Sequence, residues 1–335
     1  MNVVSVRKQQ RIRYLRRSPR ESWRFAFTMV EVLVVITTIG ILVAMLLPAV
    51  NSAREAARRL TCSRNLAQTI LAVHQYESTF SCYPPGTLED KGPILNQPTG
   101  YHHGWITQIL PYIEQKTAYG HIDRNVGVYH ANNLPVRRVV IPILRCPSTP
   151  AAGQGYSDYA GVHNDLEVPI DADNNGIFFL NSHIRYRDVL DGTSNTLFIG
   201  EKHTIPGDLG WMSGTRSTLR NMGTPPTSIA FLFAMSRPPG VAEVVSPPAL
   251  EGRELMNALF GIWSTPGFAR ADKANRFVLP KDPLVAVGGF GRSHPGGTNF
   301  AAGDGSVRFI SGGYNFPILH ALANRADRGL IDTDR

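Results

Sequence analysis

An α+β fold, a long N-terminal helix packed on a mainly antiparallel β-sheet head with long loops, is predicted by three features of this sequence. Residues 27–50, FTMVEVLVVITTIGILVAMLLPAV, are 24 almost wholly apolar residues with one charge, Glu31. Residues 51–80 continue with apolar side chains at spacings of three, four and seven, the period of one helix face. Beyond residue 86 short apolar runs alternate with turns, in a chain carrying 31 glycines and 24 prolines among 335 residues.

The apolar run is long enough to cross a bilayer. At about 1.5 Å per residue, 24 residues span about 36 Å, against a hydrocarbon layer of about 30 Å. A lone carboxylate in such a helix costs about 2.5–3.5 kcal/mol at the bilayer centre and less near an interface, so Glu31 calls for a partner cation. Residues 1–26 hold eight basic side chains, from Arg7 to Arg24, against the single acid Glu21. That segment carries +7 of the chain's net +8. The basic balance therefore belongs to the leader and excludes a nucleic-acid-binding face on the rest. A basic segment before an apolar one is the positive-inside pattern, with the leader cytoplasmic and the remainder outside. The small-residue cleavage site that follows a short apolar core in a secretory signal is missing.

Ala26-Phe27-Thr28-Met29-Val30-Glu31 resembles the cleavage and methylation site of type IV prepilins and type II secretion pseudopilins. The resemblance implies a prepilin peptidase that cuts between Ala26 and Phe27 and methylates the new amino group. It implies that Glu31, fifth residue of the mature chain, meets the N-terminal ammonium of a neighbouring pilin-like subunit. Pro48 stands at mature position 22, where that family commonly has proline, whereas Ala26 replaces its usual glycine. Further blocks, CSRNLAQTILAVHQYESTFSCYPPG (62–86), GWITQILPYIEQ (104–115), LRCPS (144–148), YSDYAGV (156–162), NGIFFLNSHIRYRDVLDGTSNTLFIGE (175–201) and HPGGTNFAAGDGSVRFI (294–310), resemble the pilin-like envelope family expanded in planctomycete bacteria. Its signature is a histidine, nine residues, then Asp-Gly, here His294, Asp304 and Gly305.

The expected organisation is a leader (1–26), a spanning helix (27–50), its continuation (51–86) and an extracytoplasmic head (87–335). In the continuation Ala53, Ala56, Leu60, Ala67, Ile70, Leu71 and His74 form the apolar face, with His74 a core residue. Glu55 and Arg59, four apart with the acid first, form a favourable helix pair. Tyr83-Pro84-Pro85-Gly86 ends the helix. Residues 104–115 are predicted helical, 139–144 a β run broken by Pro142, and 177–180, 185–189 and 196–201 strands. Residues 203–226 and 234–253 are expected to be long surface loops, and 251–260 a short helix. Strands are expected at 285–290 and 298–302, then a hairpin through Gly303-Asp304-Gly305 into 306–310, and a closing helix at 316–324.

Asp171-Ala172-Asp173-Asn174-Asn175-Gly176 has the first half of a calcium loop, with oxygen side chains at Asp171, Asp173 and Asn175 and glycine sixth. Ser182 stands where the bidentate glutamate belongs, so an EF-hand is excluded, and a distant acid such as Asp158, Asp165 or Asp188 would have to complete the shell. An Asx-rich turn explains the same residues. Calcium is the one candidate cofactor. His294 is expected to hold one of its flanking turns by a hydrogen bond. Glu201 and His203 share a strand face and with His294 could ligate a metal, a triple that chance readily supplies among ten histidines. No GxSxG, HExxH or Walker loop is present, so no enzyme is expected. Cys62, Cys82 and Cys146 allow three single pairings. Cys62 and Cys146 fall in the resembling blocks, and a bridge between them would tie the long helix to the sheet. The expected role is a pseudopilin-like structural protein of the cytoplasmic membrane or a pilus-like filament, touching lipid and other pilin-like subunits but no nucleic acid. The rival is a singly anchored ligand-binding protein, for glycans among other ligands, that never assembles.

Overall fold

The computed structural model of the chain describes residues 28–149, 153–204, 207–223, 282, 284–291, 294–311 and 316–327. Ala26 and Phe27 lie outside these residues, as do the expected loop at 234–253 and helix at 251–260. The chain divides into two compact units, residues 1–52 and 53–335. Helix α1 (Met29–Phe80) is one continuous helix of 52 residues.

In the first unit the apolar side chains of α1, Val32 to Leu47, are all exposed. This part is long and apolar enough to cross a membrane. Its two hydroxyls are internally satisfied: Thr37 Oγ1 donates to Leu33 O at 2.7 Å and Thr38 Oγ1 to Val35 O at 2.9 Å. Such back-bonding removes the cost of bare polar groups in hydrocarbon.

The second unit is built on a five-stranded sheet of order β5-β3-β4-β6-β7. The strands are β3 (Tyr159–Asn164), β4 (Leu197–Glu201), β5 (Leu219–Asn221), β6 (Gly297–Ala302) and β7 (Val307–Ser311). All neighbours are antiparallel except β3 and β5, which run parallel. β1 (Thr87–Leu88) and β2 (His103–Gly104) form a small separate ribbon. Every residue of β3, β4 and β6 is buried, because apolar side chains cover both sheet faces. One cover includes Leu66, Ile70, Val73, Trp105, Phe178 and Phe198. The other includes Val162, Leu197, Phe300 and, from the helix Phe316–Ala323, Leu319 and Leu322. Gly161 is required in β3, since a β-carbon there would lie 2.6 Å from the Phe178 ring.

The buried face of α1 is turned from the expected one. Cys62, Asn65, Leu66, Thr69, Ile70, Ala72 and Val73 are buried, while Leu60 and Leu71 are exposed. Polar anchors set this rotation: Asn65 Nδ2 donates to Arg145 O at 3.0 Å, and Tyr159 OH to Cys62 O at 3.4 Å. Glu55 does not pair with Arg59 but with Arg58, and Arg59 stacks on the Phe309 ring, 3.8 Å from its centroid. α1 ends at Phe80, before the prolines, because Ser81 adopts the left-handed conformation (φ 58°).

Other local expectations give way to proline and burial. The predicted helix at 104–115 is short α2 (Trp105–Ile109) and then a 3-10 turn (Leu110–Ile113) opened by Pro111. Pro142 likewise makes 142–144 a 3-10 turn, not a strand. Residues 186–188 are also a 3-10 turn, and 177–180 hold one bridge instead of a strand. Described residues of 203–226 are not surface loop: Trp211, Met212 and Leu219 are fully buried. Asp208 of this stretch forms a buried ion pair with Lys202, Nζ to Oδ2 at 2.7 Å. The predicted hairpin at 298–310 is present as β6 and β7.

β3 also carries a fully buried histidine. His163 Nδ1 lies 3.0 Å from Asn174 Oδ1, so Nδ1 is the protonated nitrogen of the neutral ring. Burial first, and the nearby Arg220 charge as well, outweigh the Asn174 bond and push its pKa down from 6.5 to about 4. The unfolded chain therefore binds the proton first. This contribution is complete above about pH 6.5 and is lost as pH falls through about 4, by about 3 kcal/mol. Urea unfolding at pH 7, 5 and 4 should show a smaller acid loss in His163→Gln than in wild type. Equal acid slopes in the two proteins would contradict the assignment.

Candidate functional site

Two features carry polar chemistry in unusual settings. The first is the start of α1. Thr28 N–H and Thr28 Oγ1 donate to Glu31 Oε2 at 2.8 and 2.9 Å, and Glu31 N–H donates back to Thr28 Oγ1 at 3.3 Å. This is a reciprocal helix cap, in which threonine and glutamate satisfy each other's backbone donors. Glu31 thus has a local partner within its own chain, which the sequence argument for an external cation did not include.

The second feature is a buried cluster of Cys62, Cys146, Glu201 and His294, whose ligand atoms all lie within 4.8 Å of one another. Cys62 comes from α1, Cys146 from the segment after the 142–144 turn, Glu201 from the end of β4 and His294 from the residue bridged to the start of β6. Cys62 and Cys146 are joined by a disulfide, with Cα atoms 5.4 Å apart, and Cys82 is buried and free. Asp158 holds the loop behind Cys146: its Oδ2 accepts the Cys146 N–H at 2.8 Å and meets Arg145 Nε at 3.3 Å. Burial raises the Asp158 pKa, against the pull of these two partners.

His294 sits between two carboxylates. Nδ1 lies 2.7 Å from Glu55 Oε1, and Nε2 lies 3.3 Å from Glu201 Oε1 and 3.7 Å from Cys146 Sγ. Burial disfavours the imidazolium, but hydrogen bonds to Glu201 and Glu55 prevail and raise the His294 pKa. The same bond from His294 lowers the Glu55 pKa, with Arg58 adding to it against desolvation. Asn299 holds Glu201 from the other side, its N–H on Oε2 and its Nδ2 on Oε1, both at 2.9 Å. The arrangement can share a proton, orient an imidazole or ligate a cation.

The structure unites Glu201 and His294 from the sequence triple, but not His203, whose ring packs at Gly291. His294 and Asp304 do not face each other. They lie at opposite ends of β6, roughly 20 Å apart along six residues of strand. Asp304 Oδ1 accepts the Ser306 N–H at 2.8 Å and Gly305 takes φ 89°, so this pair forms the β6–β7 turn. In the 171–176 segment Asp171 Oδ1 accepts the Ala172 N–H at 2.8 Å and Asn175 Oδ1 the Asp165 N–H at 3.0 Å, while Asp173 is exposed. The acids weighed as distant partners have other contacts: Asp165 with Asn324, Asp188 with Arg185 and Asp158 as above. Glu55 escaped the sequence reading because it is 239 residues from His294 and looks like one end of an ordinary helix pair.

A family model described as "Protein of unknown function (DUF1559)" matches residues 51–314. No curated protein and no solved structure matches the chain.

Proposed function

The chain belongs to that DUF1559 family, and from this premise we propose that it is a membrane-anchored, pilin-like envelope protein whose subunits associate through the first part of α1. The observation that carries the reading is the exposed apolar surface from Val32 to Leu47 with a single carboxylate, Glu31, at its start. A lipid bilayer or neighbouring helices would cover that surface, and a neighbour's N-terminal ammonium would meet Glu31. Cleavage and methylation at Phe27 belong to the same reading. The Thr28–Glu31 cap favours the second reading, a single anchor for a ligand-binding head, because it satisfies the acid without a partner.

Glu31→Gln separates the two. Glutamine supports the same reciprocal cap as glutamate but carries no charge. The variant is expected to insert and fold as wild type does. It is also expected to lose cysteine cross-linking between paired positions in residues 32–45 in native membranes, where the wild type cross-links. Intact mass should show the wild type beginning at methylated Phe27. No cross-linking in the wild type would establish the solitary anchor, and equal cross-linking in both proteins would show that association does not use the Glu31 charge.

A further inference from the structure

Two distances from His294 in the buried cluster match those of a metal shell. Two ligands at about 2.0 Å from a tetrahedral ion stand about 3.3 Å apart, and a nitrogen–sulfur edge is about 3.6 Å. His294 Nε2 lies 3.3 Å from Glu201 Oε1 and 3.7 Å from Cys146 Sγ. Outer contacts also fit. A ligating histidine characteristically gives its other N–H to a carboxylate, and ligating carboxylates are themselves hydrogen-bonded. Here Glu55 takes Nδ1–H at 2.7 Å, and Asn299 holds Glu201 twice. Two sulfurs, one imidazole nitrogen and one carboxylate oxygen form a donor set suited to zinc. A surface depression lined by Thr61, Asn65, Pro142, Arg145 and Pro147 reaches Cys146.

We propose that, with Cys62 and Cys146 reduced, these two thiolates, Glu201 and His294 Nε2 hold one Zn²⁺ ion, and that the disulfide is the metal-free oxidised state of the same site. Binding releases the two thiol protons, and the proton on His294 Nε2 where it is present. In the reverse direction an external disulfide is the oxidant. The Sγ–Sγ bond forms, two electrons pass from the two thiolates to the external disulfide, which leaves as two thiolates, and Zn²⁺ departs. Glu55 is a positioning residue that fixes the imidazole with Nε2 toward the metal.

Full-length protein in detergent, reduced with a phosphine and stripped with a chelator, is titrated with Zn²⁺ and separately with Co²⁺. The expected result is one metal per chain by native mass spectrometry, with visible bands of tetrahedral Co²⁺ and a thiolate-to-cobalt charge-transfer band. The oxidised protein takes up none. Cys146→Ser and Glu201→Gln should each weaken binding at least tenfold, and Cys146→Ser should also diminish the charge-transfer band. Glu55→Gln leaves all four ligands in place, so affinity should fall about 10–100-fold at unchanged stoichiometry and spectrum. No stoichiometric uptake by a reduced chain that stays folded by circular dichroism overturns the proposal. So does equal uptake by the oxidised protein or by Cys62→Ser/Cys146→Ser. Should the reduced, metal-free chain unfold, refolding on one equivalent of Zn²⁺ supports the site. Failure to refold with Zn²⁺, where reoxidation succeeds, overturns it.

Discussion

Asp208→Ala is expected to destabilise the fold by about 3–5 kcal/mol, the cost of breaking a buried pair and leaving its partner charged and alone. The Lys202 and Asp208 side chains are 0% and 1% exposed, with Nζ and Oδ2 2.7 Å apart. Desolvation lowers the Lys202 pKa, and the Asp208 charge acts against that. Asp208 also accepts the Gly210 N–H at 2.9 Å and is a nearby anion for Arg216 and, with Glu167, for Arg220. Asp208→Asn should lose less, since its amide oxygen can still accept from Gly210. Lys202→Met combined with Asp208→Leu should be more stable than either single variant, because neither member of the pair is then left charged without the other. Chemical unfolding of the five variants checks this, and a loss under 1 kcal/mol for Asp208→Ala would show that the pair is hydrated.

Removing the disulfide is the second large effect. Cys62 and Cys146 are 84 residues apart, and a closed loop of that length stabilises by about 4–5 kcal/mol through the unfolded chain's lost entropy. Cys62→Ser/Cys146→Ser should lose most of that amount relative to the oxidised wild type, and reductant should leave its own stability unchanged. Cys82→Ser, at the buried free thiol, should leave the redox dependence of stability unchanged. Denaturant midpoints with and without reductant provide the measurement. A wild type equally stable in both buffers without added metal would show that the bridge contributes nothing to the fold.

The two kinds of information divide along the range of the forces involved. Residue order alone determined α1, since 24 apolar residues and the helical spacing after them are local facts. It also determined the hairpin at 298–310, because Gly303-Asp304-Gly305 turns by its own Asx bond and positive φ. The helix at 316–323 was legible for the same local reason. The face that α1 buries was decided by tertiary contacts, with Asn65 and Cys62 anchored to residues 80 and more positions away. β3 carries His163 and Asn164 in full burial, so hydropathy could not mark it as a central strand. The candidate site was legible only in parts: Glu201 and His294 as two members of a loose triple, and Cys62 and Cys146 among three open pairings. Glu55, Asn299 and the closeness of the four ligands arose from packing, which brings together groups up to 239 residues apart. No periodicity records such a meeting, because distance along the chain places no limit on distance in a folded core.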